Sequence, residues 1–445
     1  MVPIRDLAAM ATSETTAEPR KYVSTRQAAF IGVGAMVGAG IFSLLGAAGA
    51  VAGAAVWLSF VLAGIIAALQ GYSFAKLGAR FPSAGGMLEY INQSFGFGHI
   101  ATVSAWLGYS VNAIITAMVA VSFGSYASSL FTNSDPTAVK VFAVLLVIAV
   151  TLLNVAGSTA VARVQSLIVF VVVGILGLFA VVTILNINPS YLAPANYPSA
   201  QHIVSSVALT FFAFLGFGVV TFTAKDLSDP SRQLPRAITI AIGIAMVIYV
   251  TVALGVFGTL TVDQVIQYGA TAIAEAARPV LGDIGFVLMA VTALFATTGA
   301  TNAGLYPMRG IASHLASTGQ FPPFMARNLY GRVSVGLLVA SGATIVMVVF
   351  LDLNAIASLG SAVALAVFSM ISIGHVRIRD KTGARMSLLI AGLITALLAL
   401  VTFIVTTLIQ EPASIVTLAL IFVFSVIFDV LWSRPHPQET APTPT

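Results

Sequence analysis

The sequence predicts an all-α polytopic membrane protein with twelve transmembrane helices. Of the 445 residues, 58% are hydrophobic and only 8% are charged, whereas about a quarter of the residues in an ordinary soluble domain are charged. Several apolar runs also reach the roughly 20 residues that a helix needs to cross the hydrocarbon core of a bilayer. The twelve predicted segments are 27–51, 53–78, 99–131, 139–157, 164–187, 202–223, 236–260, 281–313, 333–351, 354–376, 386–409 and 412–432.

Polar stretches flank these segments. Residues 1–26 lack the apolar core of a signal peptide, and we expect them to form a short cytoplasmic tail. Residues 433–445 are rich in Pro and Thr, a composition typical of disordered tails. Between segments seven and eight, the outer stretch 261–282 is long enough for a short surface helix.

The basic residues favour a cytoplasmic N-terminus. With that orientation, Lys140 and Arg278 are the only two of the 20 lysines and arginines that fall on the outer side. Cytoplasmic loops carry an excess of these residues, so the opposite orientation is not expected. Because the number of spans is even, the C-terminus also returns to the cytoplasm. The expected location is the plasma membrane.

Composition narrows the range of functions. The chain has no cysteine and a formal net charge of +5. The absence of thiols excludes disulfides, thiol catalysis and Cys-based metal sites. Basic inner loops explain the charge, so no nucleic-acid partner is expected. No cofactor or metal is expected either, because the paired spacing of a zinc site is missing from the five histidines, His99, His202, His314, His375 and His436.

Acidic residues are nearly excluded from the predicted spans. No Asp or Glu lies deep in segments one to eleven, although an intramembrane carboxylate is the usual proton carrier. Glu89 in the first inner loop and Asp429 near the inner end of segment twelve are expected to face water. An intramembrane enzyme would need paired carboxylates or a histidine dyad at depth, and the spans carry neither.

Segments one and six contain glycine clusters near their centres. Residues 32–42 read GVGAMVGAGIF and residues 211–218 read FFAFLGFG. Each glycine weakens a helix by about 1 kcal/mol relative to alanine. Small residues also allow close helix packing in membranes, which explains either cluster taken alone equally well. Two clusters five segments apart favour a pair of interrupted helices.

An interrupted helix at mid-membrane exposes charged poles of the main chain. One half ends in free carbonyls and the other begins with free N–H groups, which carry partial negative and positive charge. Unwound backbone persists in a bilayer only where it lines a cavity or is buried in protein. Together the two poles suit a zwitterion, with its carboxylate on amides and its ammonium on carbonyls. Such paired breaks indicate the binding site of a transporter.

Four motifs resemble those of the amino acid–polyamine–organocation transporters, the amino acid permease family. The resemblance covers roughly residues 21–380. The motifs are GAGIF at 38–42 in the first segment, FPSAGG at 81–86 in the first inner loop, FAFLGFG at 212–218 in the sixth segment and DPSRQLPRAI at 229–238 in the loop that follows.

The resemblance implies a LeuT-like fold, in which five helices (27–187) are repeated inverted (202–376) and two extra helices follow (386–432). It also implies a substrate site at the two breaks. The carboxylate would meet amides of Gly38, Ala39 and Gly40, and the ammonium would meet carbonyls of Met36, Phe212 and Leu215. The Phe212 ring lies where some members place an aromatic gate, or else it packs or faces lipid. Gly216 and Gly218 complete the implied site.

Two positions differ from the family pattern, and they affect the substrate class and the coupling mechanism that we expect. Position 218 is Gly, where members that handle cationic substrates often carry an acid, so neutral amino acids become the expected substrate class. Several proton-coupled members carry a lysine in the fifth helix, where this chain has Val172. A lysine-based proton mechanism is therefore not expected.

Two further polar sets lie in the spans. Tyr109, Asn112 and Thr116 share one face of segment three, where they either line the substrate path or form an interhelical hydrogen-bond seam. In segment eight, hydroxyl and amide oxygens suit a sodium ion held between the first and eighth helices. This possible ion site comprises Thr297, Thr298, Thr301 and Asn302.

The predicted function is secondary active transport of neutral amino acids by alternating access. Two alternatives remain open: a sensor that binds an amino acid without moving it, and a transporter of polyamines or other small amines. The coupling ion is a proton or sodium, or transport proceeds by exchange, and the sequence does not decide between these.

Overall fold

The computed structural model describes residues 22–83, 85–96, 98–156, 160–329, 333–406 and 412–432, and these are almost entirely helical. Two short strands, β1 (Asn328–Leu329) and β2 (Val333–Ser334), pair antiparallel. The α-helices are α1 (Thr25–Ala39), α2 (Ile41–Ala52), α3 (Val56–Arg80), α4 (Met87–Phe95), α5 (His99–Phe131), α6 (Pro136–Ala156), α7 (Ala160–Leu185), α8 (Ala200–Ser205), α9 (Val207–Phe212), α10 (Pro230–Thr259), α11 (Val262–Tyr268), α12 (Ala272–Leu305), α13 (Met308–Ser317), α14 (Val335–Phe350), α15 (Leu353–Arg377), α16 (Arg379–Thr382), α17 (Met386–Thr406) and α18 (Pro412–Trp432).

The all-α membrane architecture is confirmed. In the described part of the chain, nine helical stretches are long and apolar enough to cross a bilayer, and two shorter apolar helices accompany them. One of the nine, Ile41–Arg80, joins parts of two predicted segments, while α1 has only 15 residues. The count of twelve therefore stays a prediction. Residues 1–21 of the predicted N-terminal tail (1–26) and the whole predicted C-terminal tail (433–445) lie outside the described residues.

Local sequence signals set several helix ends. Ser24 and Gln27 form a reciprocal capping box at the start of α1, which satisfies two amides that a helix otherwise leaves unpaired. The side chain of Asp352 caps α15 by accepting from the Ala355 amide at 2.8 Å. The helix α5 has the bounds predicted for segment three. The outer stretch contains α11 and the start of α12, which is interrupted at Gly282 by a φ of 64°.

Helix α1 lies at the centre of the bundle. It packs against α10, α12 and the segment Leu215–Asp226. Helices α3 and α10 pack along each other, and α5 lies against α6, α12 and α15. Large apolar side chains such as Ile284, Phe350 and Leu185 are about four-fifths exposed, which fits a surface that faces lipid.

The second half of the predicted sixth span is a 3₁₀ helix, Leu215–Asp226, of 12 residues. Such helices rarely exceed three or four residues. Its threonines support the tighter winding, because the Thr221 hydroxyl donates to the Gly218 carbonyl at 2.6 Å and the Thr223 hydroxyl donates to the Val220 carbonyl at 2.7 Å. At its C-terminal end the Asp226 carbonyl accepts a hydrogen bond from the Val23 amide at 2.8 Å.

Two acidic side chains that the sequence placed in water are largely buried. The Asp429 side chain is 4% exposed and lies 2.6 Å from Nδ1 of His99, and the Glu89 side chain is 12% exposed and lies 3.1 Å from Nε2 of His314. Both expectations were wrong because a histidine distant in sequence supplies a hydrogen-bonding partner, and a paired carboxylate can be buried at much lower cost than an isolated one.

A buried polar network ties three helices together. The Gln70 side chain on α3 donates to the Gly392 carbonyl on α17 at 2.9 Å and accepts from the Ser372 hydroxyl on α15, also at 2.9 Å. One turn further, the Ser73 hydroxyl lies 2.6 Å from Nδ1 of His375. Satisfied networks of this kind are stable in a low-dielectric interior, whereas a missing member leaves an unpaired polar group.

We therefore expect Gln70→Ala to lower the stability of the protein. The change leaves the buried Ser372 hydroxyl without its acceptor, at a cost of about 1–3 kcal/mol, while the Gly392 carbonyl keeps a hydrogen bond from the Thr395 hydroxyl. Thermal unfolding in detergent measures the effect. Asn186→Ala serves as the control, because Asn186 is exposed and bonds its own helix. Equal melting temperatures for the two variants would contradict the role assigned to the network.

Candidate functional site

The first span is interrupted at Gly40. The amide of Gly40 donates to the Met36 carbonyl at 2.6 Å and ends α1, and the amide of Leu44 donates to the Gly40 carbonyl at 2.9 Å as α2 begins. Between these bonds the backbone of Gly40 takes φ −88° and ψ −78°. The predicted interruption therefore occurs at the fourth glycine of the GVGAMVGAG stretch, which lies deep in the bundle.

The sixth span is interrupted just after Phe212. Helix α9 ends there, and the next amides already bond three residues back, from Ala213 to Thr210 at 3.2 Å and from Phe214 to Phe211 at 2.9 Å. The chain then continues as the 3₁₀ helix. The α-helical bonding thus stops inside the predicted motif, and all of its residues from 211 to 218 are buried.

The two interruptions lie against each other. A Cβ added to Gly40 would lie 2.7 Å from the Ala213 carbonyl oxygen, and one added to Gly216 would lie 2.5 Å from the Met36 amide nitrogen. These distances are shorter than real Cβ contacts. Glycine at both positions is therefore what lets the first and sixth spans approach backbone to backbone.

A tyrosine braces this contact. The hydroxyl of Tyr249, on α10, donates to the Ala213 carbonyl at 2.9 Å and occupies the space that a Cβ on Gly40 would need. The ring packs on Phe214 and Phe60, with ring centroids 4.9 Å and 5.4 Å away. Sequence reasoning missed Tyr249, although a single tyrosine in the middle of an apolar span was an available signal.

The amides that carry partial positive charge lie just after the predicted ones, which were those of Gly38, Ala39 and Gly40. Gly38 and Ala39 are within α1, and the Gly40 amide is engaged by Met36. The amides that begin the new helix are those of residues 41 and 42, which carry the partial positive charge of a helix N-terminus. Carbonyls in the last turn of α9 carry the opposite partial charge, and those of Thr210 and Phe211 already accept from the Ala213 and Phe214 amides.

The Phe212 side chain is packed inside the protein. It is 2% exposed, and its ring lies against Gly360 of α15, where an added Cβ would come within 2.5 Å of Cε2. The same Cβ would lie 3.0 Å from Cγ2 of Ile114. The lipid-facing alternative for Phe212 is therefore excluded in this conformation, and Gly360 makes room for the ring.

The polar face of segment three joins neighbouring helices. The Tyr109 hydroxyl donates to the Gly336 carbonyl on α14, and Thr116 lies where a side chain on Gly304 of α12 would be. The Asn112 amide donates to the Gly108 carbonyl at 3.0 Å within its own helix. These are the contacts of an interhelical seam, and a role along the substrate path stays a prediction.

The possible ion site lies along α12. The hydroxyls of Thr297, Thr298 and Thr301 donate to carbonyls of their own helix. The Asn302 side-chain oxygen accepts from Asn154 of α6 at 3.0 Å. Gly38 is in close contact with α12, because a Cβ added to Gly38 would lie 2.6 Å from Cβ of Ala300. The first and eighth spans therefore touch directly at Ala300, two residues before Asn302.

A cavity of about 500 Å³ opens elsewhere, between α8 and α17. None of the predicted site residues lines it, so it is separate from the paired interruptions. Its walls are mostly apolar and consist of Ala200, Gln201, Val204, Val401, Thr402 and Val405.

Two buried, interrupted spans side by side in a bundle of apolar helices define a membrane transporter for a small solute. The chain belongs to the amino acid permease family, whose sequence model matches residues 23–430.

Relatives cover most of the chain. The inner membrane transport protein YbaT of Escherichia coli is 30% identical over 91% of this chain and 94% of its own. The methylthioribose transporter of Bacillus subtilis is 25% identical over 85% of each chain. The branched-chain amino acid permease BcaP of the same organism is 25% identical over 59% of each.

The packing predicts which glycines of the site tolerate a side chain. We expect Gly40→Ala and Gly216→Ala to be destabilising by about 1–3 kcal/mol, because each added methyl meets backbone atoms that cannot move freely. Gly218→Ala is the matched control in the same motif, since its Cβ would meet only Sδ of Met87 at 3.5 Å. Thermal unfolding in detergent distinguishes them, and equal stabilities would contradict the close approach of the two spans.

Proposed function

We propose that the protein is a secondary active transporter of neutral amino acids that works by alternating access around the interrupted first and sixth spans. The observation that carries the proposal is the juxtaposition of Gly40 and Ala213, where a helix begins beside a helix that ends. Its poles match the two charges of an amino acid backbone. Glycine at position 218 leaves no acid in the sixth-span motif for a second substrate cation.

Tyr249 has a defined part in this mechanism. Its hydroxyl donates to the Ala213 carbonyl, which is the kind of group that would accept a hydrogen bond from a substrate ammonium. We infer that the tyrosine keeps this carbonyl paired while the site is empty and keeps the two interruptions in register. Binding then adds a charged donor to the negative pole, and the surrounding spans close around the solute.

The proposal also fixes how the chain lies in the membrane. We infer twelve spans in two inverted five-helix repeats followed by two helices, with both termini in the cytoplasm and the protein in the plasma membrane. The basic residues support this orientation. Lys140, which this orientation places outside, donates to the Val349 carbonyl at the facing end of α14 at 2.7 Å.

Orientation can be tested because the natural chain has no cysteine. We expect Lys140→Cys to react with a membrane-impermeant maleimide in intact cells and Lys381→Cys to react only after permeabilisation, since both side chains are exposed but lie at opposite ends of the bundle. Labelling of Lys381→Cys in intact cells would reverse the assigned topology.

Substrate class and site can be tested together with purified protein in liposomes. We expect a panel of radiolabelled amino acids to give uptake of neutral ones, competed weakly by arginine, putrescine and methylthioribose. Gly40→Leu should abolish uptake, and Tyr249→Phe should reduce it about tenfold, equivalent to about 1.4 kcal/mol, which is typical of one buried hydrogen bond.

Tyr126→Phe is the control for the tyrosine. Tyr126 is also fully buried, but its hydroxyl has no partner among the described residues, so its loss should leave uptake unchanged. Unchanged uptake in Gly40→Leu would remove the proposed site. Binding without accumulation, or uptake of methylthioribose or putrescine alone, would overturn the proposed function in favour of a sensor or another substrate.

A further inference from the structure

We propose that Glu89 and His314 form a proton-sensitive latch that holds the cytoplasmic side of the protein closed. Glu89 lies on α4, the helix of the first inner loop, and His314 lies on α13, which continues from the eighth span. Their side chains meet with Oε2 of Glu89 3.1 Å from Nε2 of His314. The proposal rests on the proposed function, since it concerns the inner gate of a transporter.

The carboxylate is built into a network of hydrogen bonds. Oε1 of Glu89 accepts from the Gln93 side chain at 2.7 Å, and Oε2 accepts from Asn92 at 3.4 Å. Burial alone raises the pKa of Glu89, but the hydrogen bonds from His314, Gln93 and Asn92 outweigh burial and hold the pKa below its ordinary value. Glu89 therefore remains ionised at any pH near neutrality.

The inner loop beyond α13 is bound to the same helix. The Gln320 side chain donates to Oδ1 of Asn92 at 2.7 Å, and both residues are buried. Phe321 stacks on Trp106 of α5 with ring centroids 4.0 Å apart. These contacts do not titrate, so they keep the two elements close enough for the Glu89–His314 contact to form again after it opens.

The latch connects parts that must separate if the inner side opens. The start of α4 is in close contact with the 3₁₀ helix of the sixth span, because a Cβ added to Gly86 would lie 2.9 Å from Oγ1 of Thr221. On the other side, Gly85 lies against the His314 ring, with an added Cβ 2.7 Å from Cδ2. Glu89 and His314 thus bridge the inner halves of the sixth and eighth spans.

Histidine is the group that makes this contact depend on pH. An imidazole changes charge between about pH 5 and 8. In general a carboxylate attracts an imidazolium ring more strongly than a neutral imidazole, so the strength of a carboxylate–imidazole contact falls as pH rises. The latch therefore releases when the cytoplasm becomes alkaline, and inner opening increases with pH.

Other charged groups near the latch are engaged elsewhere or point away. His314 alone has a charge–charge interaction that lowers the pKa of Glu89. His99 is paired with Asp429, and the Arg377 and Arg80 guanidinium groups lie over Phe95 and Phe81. On the elements packed against α4 and α13 at this end of the bundle, Lys76 is half-buried on α3, and His375 is buried on α15 with Ser73 and Thr382 as its partners. The remaining charged side chains there are exposed at the surface, and they are Lys225, Asp226, Arg309 and Arg327.

Spin labels measure the latch without any need for a substrate. The chain has no natural cysteine, so Lys225→Cys and Ser317→Cys place labels at two exposed positions, one on the inner end of the sixth span and one on α13. The protein in lipid nanodiscs is then compared at about pH 5.5 and about pH 8. We expect the distance distribution to shift to longer values at the higher pH.

Conservative variants identify the groups responsible. Glu89→Gln keeps the shape but loses the charge, and His314→Gln keeps an N–H donor that does not titrate. Each should abolish the pH-dependent shift and give the longer distances at both pH values. His99→Gln is the control, because it removes the other histidine of an inner carboxylate pair, and it should retain the shift.

A distance that does not change with pH in the labelled background, or a shift that persists in both Glu89→Gln and His314→Gln, would overturn the latch. Unfolding temperatures of the variants establish that each is folded. A positive result in a protein that moves no amino acid would leave the latch intact and overturn the proposed substrate, so the two failures are distinguishable.

Discussion

The hydrogen bond from Tyr249 to the Ala213 carbonyl is the interaction on which the centre of the structure depends. A bilayer offers no water to backbone groups that leave a helix, so each interruption must find its partners within the protein. The break at Gly40 and the break after Phe212 do this together. One helix ends beside the start of another, and a hydroxyl from a third span pairs a carbonyl at their contact.

Much of the fold followed from the sequence because lipid imposes simple rules. Apolar run length predicted the helices closely, and α5 begins and ends at the predicted residues. The interruptions also fell inside the two glycine clusters. Glycine weakens a helix and permits close approach at the same positions, so the packing and break explanations both apply at Gly40 and Gly216.

The misses share a physical cause, which is pairing across long separations in the chain. The partners of Glu89 and Asp429 lie 225 and 330 residues away, and Tyr249 reaches a carbonyl 36 residues earlier. A local pattern identifies a carboxylate near a span end but does not reveal a distant histidine that accompanies it into the interior. We therefore expected both acids to be exposed to water, whereas each one is buried against a histidine.

The winding of the sixth span sets how far its second half extends. Its 12 residues, with the roughly 2.0 Å rise of a 3₁₀ helix, reach about 24 Å, whereas an α-helix of equal length reaches about 18 Å. The same residues in α form would end about 6 Å short of Val23. The link between Asp226 and the beginning of the first span thus exists only while the longer winding is kept.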